Sequence, residues 1–267
     1  MLIDFRVRPP YKTNLTTSLY NKPAPSPDPT KQSIFLIGKE RVPSAEARSI
    51  ELFMQEMDET ETERAVIMGR KADEYGSVDN DEIDELARAY PGRFIPFAGV
   101  NPNLPGQVEE IERVAAMGFR GVGIDAGWLR RPLYHDDPVF DPIYAKCQEL
   151  GMIVSLTSSF MLGPDLSYSE PCAIQRVAMK YPNMKIVVPH GCWPHVHTAL
   201  AVAIRCPQRC GFYVSDGSLS FCGKRKGGKN AAKTNGFGIL FADRIQQDPE
   251  LSNHANLALQ NPHLAFA

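Results

Sequence analysis

Eight short apolar runs recur along the 267-residue chain, and most are followed by a helical pattern. The runs are LIDFRV (2–7), RAVIMG (64–69), FIPFAGV (94–100), RGVGID (120–125), MIVSLT (152–157), KIVVPH (185–190), GFYVSD (211–216) and GILFA (238–242). Most are apolar at consecutive positions, as in parallel strands covered on both faces. Between them, SAEARSIELFMQEMDET (44–60) reads as a helix with Ser44 as its N-cap. DNDEIDELARAYP ends at Pro91, LPGQVEEIERVAAMGF at Gly118 and DPVFDPIYAKCQELGM at Gly151. EPCAIQRVAMKYP and WPHVHTALAVAIRCP stop at Pro182 and Pro207. Strand–helix repetition calls for a parallel sheet. Eight units in about 250 residues predict a (β/α)8 TIM-like barrel. The alternative, a doubly wound open sheet, lacks a G-x-G-x-x-G after any strand.

Two stretches break the rhythm. The connection from the first strand to about Ser44 includes KPAPSPDPT (22–30) and reads either as a flexible loop or as a lid over the barrel mouth. Near the other end, FCGKRKGGKNAAKTNG (221–236) is basic and Gly-rich, and the tail after the eighth run is a poor amphipathic helix. The last βα unit is therefore expected to be short or incomplete. Residues 1–267 are read as one barrel domain.

Hydrophobic residues make up 43% of the chain and charged residues 22%, enough for a substantial core, and the net charge is −2. That balance argues against bulk binding to nucleic acid or an acidic membrane. The sequence contains no run of 18 apolar residues and begins without a secretory apolar region. Its six cysteines (147, 172, 192, 206, 210 and 222) form no C-x-x-C pair. Reduced thiols and a cytoplasmic location are the expectation.

In such a barrel, chemistry belongs to the carboxyl ends of the strands. That selects Arg6 and Arg8; Arg70 and Lys71; Asp125; Thr157, Ser158 and Ser159; His190; Ser215 and Asp216; and Asp243 and Arg244. Arg6 and Arg8 are two apart on a strand, so both face one way. Two fixed cations side by side call for an anion, either an acid of the chain such as Asp4 or Asp125, or a ligand. A planar guanidinium suits a carboxylate, to which it makes two parallel hydrogen bonds.

The spacing IDFRVRPP … GVGID … HGCWPHV … LFADR resembles the amidohydrolase-related (amidohydrolase 2) TIM-barrel family, in a branch with DFRxRPP on strand one instead of DxHxH. The resemblance spans about residues 1–220 and is weak beyond. It implies a relative of metal-dependent hydrolases and decarboxylases. The family's two strand-one histidines fall on Arg6 and Arg8, its strand-five histidine on or near Thr157, its strand-six histidine on His190, and its strand-eight aspartate near Asp243 or Arg244. Arginine keeps its proton and cannot ligate a cation. A catalytic zinc normally takes three protein ligands. No cofactor is expected, the alternative being a weakly bound divalent metal such as zinc on His190 and Asp243.

The resulting expectation is a metal-independent hydrolase or lyase acting on a small carboxylated substrate. His190, Asp125 and Asp216 are the candidate catalytic groups; Arg6, Arg8, Arg70, Thr157 and Trp193 are the candidate substrate-binding groups. A metal-assisted decarboxylase or hydratase, and an inactive barrel that binds an anionic metabolite, are the rival readings. A homo-oligomer is left open. His190 and Trp193 also read as core residues, and Arg6 with Asp125 as a structural ion pair. Three patterns carry little weight: the histidines at 195 and 197, which share no helix face; Cys192, which has no second base; and GKRKGGKN, which lacks the P-loop order.

Overall fold

The computed structural model describes residues 2–17, 20, 42–160, 162–206 and 210–213. Among these, seven strands form one sheet in the order β1 to β7. They are β1 (Ile3–Val7), β2 (Arg64–Met68), β3 (Phe94–Gly99), β4 (Gly121–Ile124), β5 (Ile153–Leu156), β6 (Lys185–Pro189) and β7 (Cys210–Tyr213). Every neighbouring pair is parallel. Seven consecutive staves in chain order are the arrangement of a (β/α)8 barrel. The eighth run, the 22–30 connection, the final βα unit, Asp216, Asp243 and Arg244 lie outside the described residues.

Among the described residues, seven α-helices alternate with these strands: α1 (Pro43–Ala47), α2 (Ile50–Glu59), α3 (Asn80–Ala89), α4 (Gln107–Ala116), α5 (Asp141–Glu149), α6 (Pro171–Lys180) and α7 (Val196–Arg205). The helix expected from Ser44 is divided. Arg48 adopts φ 53°, which ends α1, and the Ser49 side chain accepts from Leu52 N–H to begin α2. Ser44 is not the cap, because its N–H and hydroxyl donate to Glu56 at 2.9 and 2.5 Å, fastening α1 to α2.

The two faces of the sheet bury different residues. Ile3, Val66, Met68, Ile95, Phe97, Ile153 and Val187, with Phe5 against them, form a cluster made of strand residues alone, the lumen. Ala65, Ile67, Ala98, Val122, Ile124, Val154, Leu156, Ile186 and Val188 face outward into the larger core shared with the helices. β4 presents glycine to the lumen. A Cβ at Gly121 would lie 2.3 Å from the Phe97 ring and one at Gly123 2.8 Å from Met68 Sδ, so the GVG of the sequence makes room for its neighbours.

Strand alternation carries this lumen face upward to the mouth. Val66 and Met68 lead to Arg70, Gly121 and Gly123 to Asp125, and Ile153 and Ser155 to Thr157. β1 reaches the same face by another route. Asp4 pairs with Ala65 and Val7 with Ile67, so three steps on β1 match two on β2. This bulge inserts one residue and reverses the alternation. Ile3 and Phe5 stay with the lumen, Val7 joins the outer core, and Arg6 turns to the mouth. Asp4 stabilises the bulge by accepting the Arg6 N–H at 3.0 Å, a local turn bond that aspartate makes readily.

Candidate active site

Five strand ends, those of β1, β2, β4, β5 and β6, meet at one largely buried cluster. Arg6 Nη1 lies 2.6 Å from His190 Nε2, while Arg6 Nη2 donates to Thr157 Oγ1 at 3.1 Å and more distantly to Asp125 Oδ1 at 3.5 Å. The second Asp125 oxygen accepts from Arg70 Nε at 3.0 Å. Arg6, Arg70, Asp125 and Thr157 are all buried. One carboxylate thus spaces two guanidiniums. Burial opposes its charge, but Arg70, Arg6 and Arg8 outweigh this and hold it well below the usual carboxylate range.

His190 reaches the cluster through a backbone turn. On a straight β6 it would follow Ile186 and Val188 outward. Instead His190, Gly191 and Cys192 have φ of 65°, 52° and 59°, a left-handed run that L-residues adopt at a cost. The turn is held by Cys192 N–H to the Ser158 carbonyl at 3.1 Å and Trp193 N–H to the His190 carbonyl at 3.0 Å. A guanidinium can only donate, so Nε2 of His190 is the unprotonated ring nitrogen and the proton sits on Nδ1. Burial first, then Arg6 and Arg8, push its pKa down to about 3.

Arg8 differs from its neighbour two residues away. Its Nε and Nη2 are buried and have no hydrogen-bond partner among the described residues. These are the two donors of one edge of the guanidinium, the edge that takes a carboxylate in a bidentate pair. Burial and the charges of Arg70 and Arg6 bring its pKa well below the ordinary arginine value.

The structure brings Arg6, Arg8, Arg70, Asp125, Thr157 and His190 together around one point. Their couplings differ from a simple anion cradle. Arg70 and Arg6 are committed to Asp125, and Arg70 also lies 4.5 Å from the Trp128 ring centroid. Trp193 is 45% exposed and packs edge-on against Phe160, making a rim rather than joining the polar cluster. Lys71 pairs with Ser77 in a small bridge beside the mouth. Asp137 caps the turn at Pro138–Phe140 by accepting the Val139 N–H. Cys192 is buried with its thiol pushed up to about 12, unsuited to nucleophilic attack.

Three contributors were not among the candidate site residues, although His135 reads from the sequence as lying on the loop after the fourth strand, where it could line the mouth. His135 is 2% exposed and holds the Thr157 carbonyl at 3.0 Å through Nε2, which shapes the strand end that carries Arg6's hydroxyl partner. Trp128 follows Asp125 by three residues and stacks with Tyr75, whose carbonyl takes Arg70 Nη1 at 3.5 Å. A tryptophan three positions after a strand-end aspartate was the available signal. Tyr20 carried none, because it lies far along the first connection.

A divalent metal does not fit the donors found here. Two of the positions carry guanidiniums, the His190 lone pair is turned to Arg6, and no group of three His, Cys, Asp or Glu is arranged for a metal among the described residues. No described helix is long and apolar enough to cross a membrane.

The fold has counterparts among known proteins. Over 79% of its length the chain is similar to an uncharacterized TIM-barrel protein from Bordetella bronchiseptica, with 31% identity, 74% of that chain covered and a TM-score of 0.70. A probable 2-pyrone-4,6-dicarboxylic acid hydrolase from Acinetobacter baumannii, with citric acid bound, shares 15% identity over 80% of this chain and 70% of that one (TM-score 0.53). The manganese complex of 5-carboxyvanillate decarboxylase from Novosphingobium aromaticivorans shares 17% over 77% and 69%, at a TM-score of 0.50. These last two likenesses concern the fold. No curated protein matches the chain. The amidohydrolase family model matches residues 17–221, and the chain belongs to that family of TIM-barrel proteins.

Proposed function

We propose that this amidohydrolase-family barrel hydrolyses or lyses a small carboxylated substrate without a bound metal. The observation that carries the reading is the Nε–Nη2 edge of Arg8, buried and without a hydrogen-bond partner among the described residues, beside the Arg6–Asp125–Arg70 array. An unpartnered buried donor costs about 1–3 kcal/mol. An incoming carboxylate repays that cost with two charge-assisted bonds.

In the hydrolytic form, the carboxylate on Arg8 places a neighbouring carbonyl against Arg6. Arg6 Nη1 turns from His190 Nε2 to the carbonyl oxygen, and the freed lone pair receives a proton from water. The water oxygen bonds to the carbonyl carbon, and the carbonyl electron pair moves onto the oxygen facing Arg6. Fixed positive charge in a buried site stabilises that oxyanion. Collapse restores the carbonyl, and His190 returns its proton to the departing oxygen or nitrogen. The bound carboxylate also offsets Arg8, one of the charges that hold the His190 pKa down. Asp125 acts by orienting Arg6 and Arg70. Thr157 fixes the second Arg6 nitrogen, and Trp193 shapes the rim.

The test is a panel of carboxylated lactones and keto acids, assayed before and after chelation, with metal measured by elemental analysis. Turnover that survives chelation and is lost in Arg8→Gln is expected. One tightly bound zinc per chain, lost together with activity in Arg6→Met, would overturn the metal-independent form. Absence of any carboxylate binding would overturn the whole reading.

A further inference from the structure

We propose that Tyr20 is the positioning residue of the Arg8 anion site, its hydroxyl holding the Arg8 main chain at the point where the guanidinium departs. The inference rests on the carboxylate reading above and adds a residue that neither the strand ends nor the family pattern supplies.

β1 stops at Val7, so the Arg8 carbonyl follows the last strand residue. Its partner comes from twelve residues downstream, where the Tyr20 hydroxyl donates to it at 2.5 Å. Tyr20 itself is only 1% exposed. It is tied on two further sides. Its carbonyl accepts from Arg48 Nη2 at 3.2 Å, and its N–H donates to the Thr17 carbonyl at 3.0 Å. The segment leading to it is fastened to α3 by Tyr11 to Glu85 at 2.7 Å and by the Thr13 N–H and hydroxyl to Glu82 at 2.8 and 2.5 Å.

The consequence concerns the vacant edge. An arginine side chain gains rotational freedom when released, up to about 2 kcal/mol, and unpaired donors favour escape to water. Keeping Nε and Nη2 buried and unpaired needs a fixed backbone origin. Tyr20 provides that by joining the end of β1 to the α1–α2 corner through Arg48. The anion then meets donors already in place, so less ordering is required on binding.

The experiment is malonate binding by calorimetry to the full chain and to Tyr20→Phe, which removes only the hydroxyl. Weakening of about five- to tenfold is expected for one lost hydrogen bond, with the second substitution having no further effect in an Arg8→Gln background. Equal affinity in Tyr20→Phe, or the same loss in both backgrounds, overturns the proposal. A purely structural role would lower the melting temperature and leave malonate affinity unchanged. Should the unaltered chain bind no malonate, the carboxylate reading fails, and the positioning role is still tested by the Arg8 Nε–H nuclear magnetic resonance signal, identified by its absence in Arg8→Gln. That signal is expected to shift or broaden in Tyr20→Phe, and an unchanged signal overturns the role.

Discussion

Arg6 donates through Nη1 to Nε2 of His190 at 2.6 Å, joining the first described strand to the sixth across the barrel mouth. The bond fixes His190 as the Nδ1–H tautomer and spends its lone pair in the resting site. One side chain is the other's hydrogen-bond donor.

This coupling sets a pH dependence. His190 and His135 titrate near 6.5 when unfolded, and burial lowers them to about 3 and about 4 in the fold. A histidine depressed in this way contributes stability above 6.5 that is lost as the pH falls toward its folded value, because the unfolded chain takes up the proton first. Each contributes about 1.4 kcal/mol per pH unit in that window. Denaturation midpoints in urea should fall steadily between pH 7 and pH 5. A His135→Gln variant should show a shallower slope, and a flat profile in the unaltered chain would contradict the assignment.

Asp125 holds two guanidiniums apart. Replacing it with asparagine leaves Arg6 and Arg70 facing each other in a buried site, and a loss of about 3–5 kcal/mol is expected from denaturation curves. Adding Arg70→Met should recover part of that loss, since one of the two uncompensated charges is then gone.

Arg8 and Arg6 should respond oppositely to the same substitution. Arg8→Met removes two unpaired buried donors and is expected to leave stability unchanged or raise it by about 1–3 kcal/mol, while malonate affinity falls more than about tenfold. Arg6→Met strips Asp125, Thr157 and His190 of a shared partner and should destabilise the fold. Thermal melts of both variants, paired with calorimetry, make the comparison.

Thr157→Val keeps the shape of the side chain and removes the oxygen that Arg6 Nη2 meets at 3.1 Å. A loss of about 1 kcal/mol is expected. Because His135 holds the Thr157 carbonyl and not its hydroxyl, the strand end should stay in place. Unchanged stability in Thr157→Val would show that the hydroxyl bond contributes nothing net.

The barrel could be read from local signals. Consecutive apolar runs such as AVIM and IVVP can be buried on both faces only in a covered parallel sheet. The halts at Gly118, Gly151 and Pro182 follow from backbone chemistry that needs no distant partner. The division of α1 from α2 escaped because it turns on Arg48 adopting a left-handed conformation and on Glu56 drawing Ser44 away from capping. The α2 pattern has the same apolar spacing either way.

The residues themselves set the alternation of strands and helices, the placing of arginine, aspartate, threonine and histidine at strand ends, and the family. Which arginine is hydrogen-bonded and which keeps buried donors without a partner among the described residues was decided only by tertiary structure. Arg6 meets Asp125 and His190 across separations of 119 and 184 residues. A one-residue bulge chooses the face it takes, and a left-handed turn brings the imidazole to it. Hydrogen bonding and desolvation act through space between groups far apart in the chain, so of two arginines alike in sequence one is bonded across the mouth while the other keeps two buried donors without a hydrogen-bond partner among the described residues.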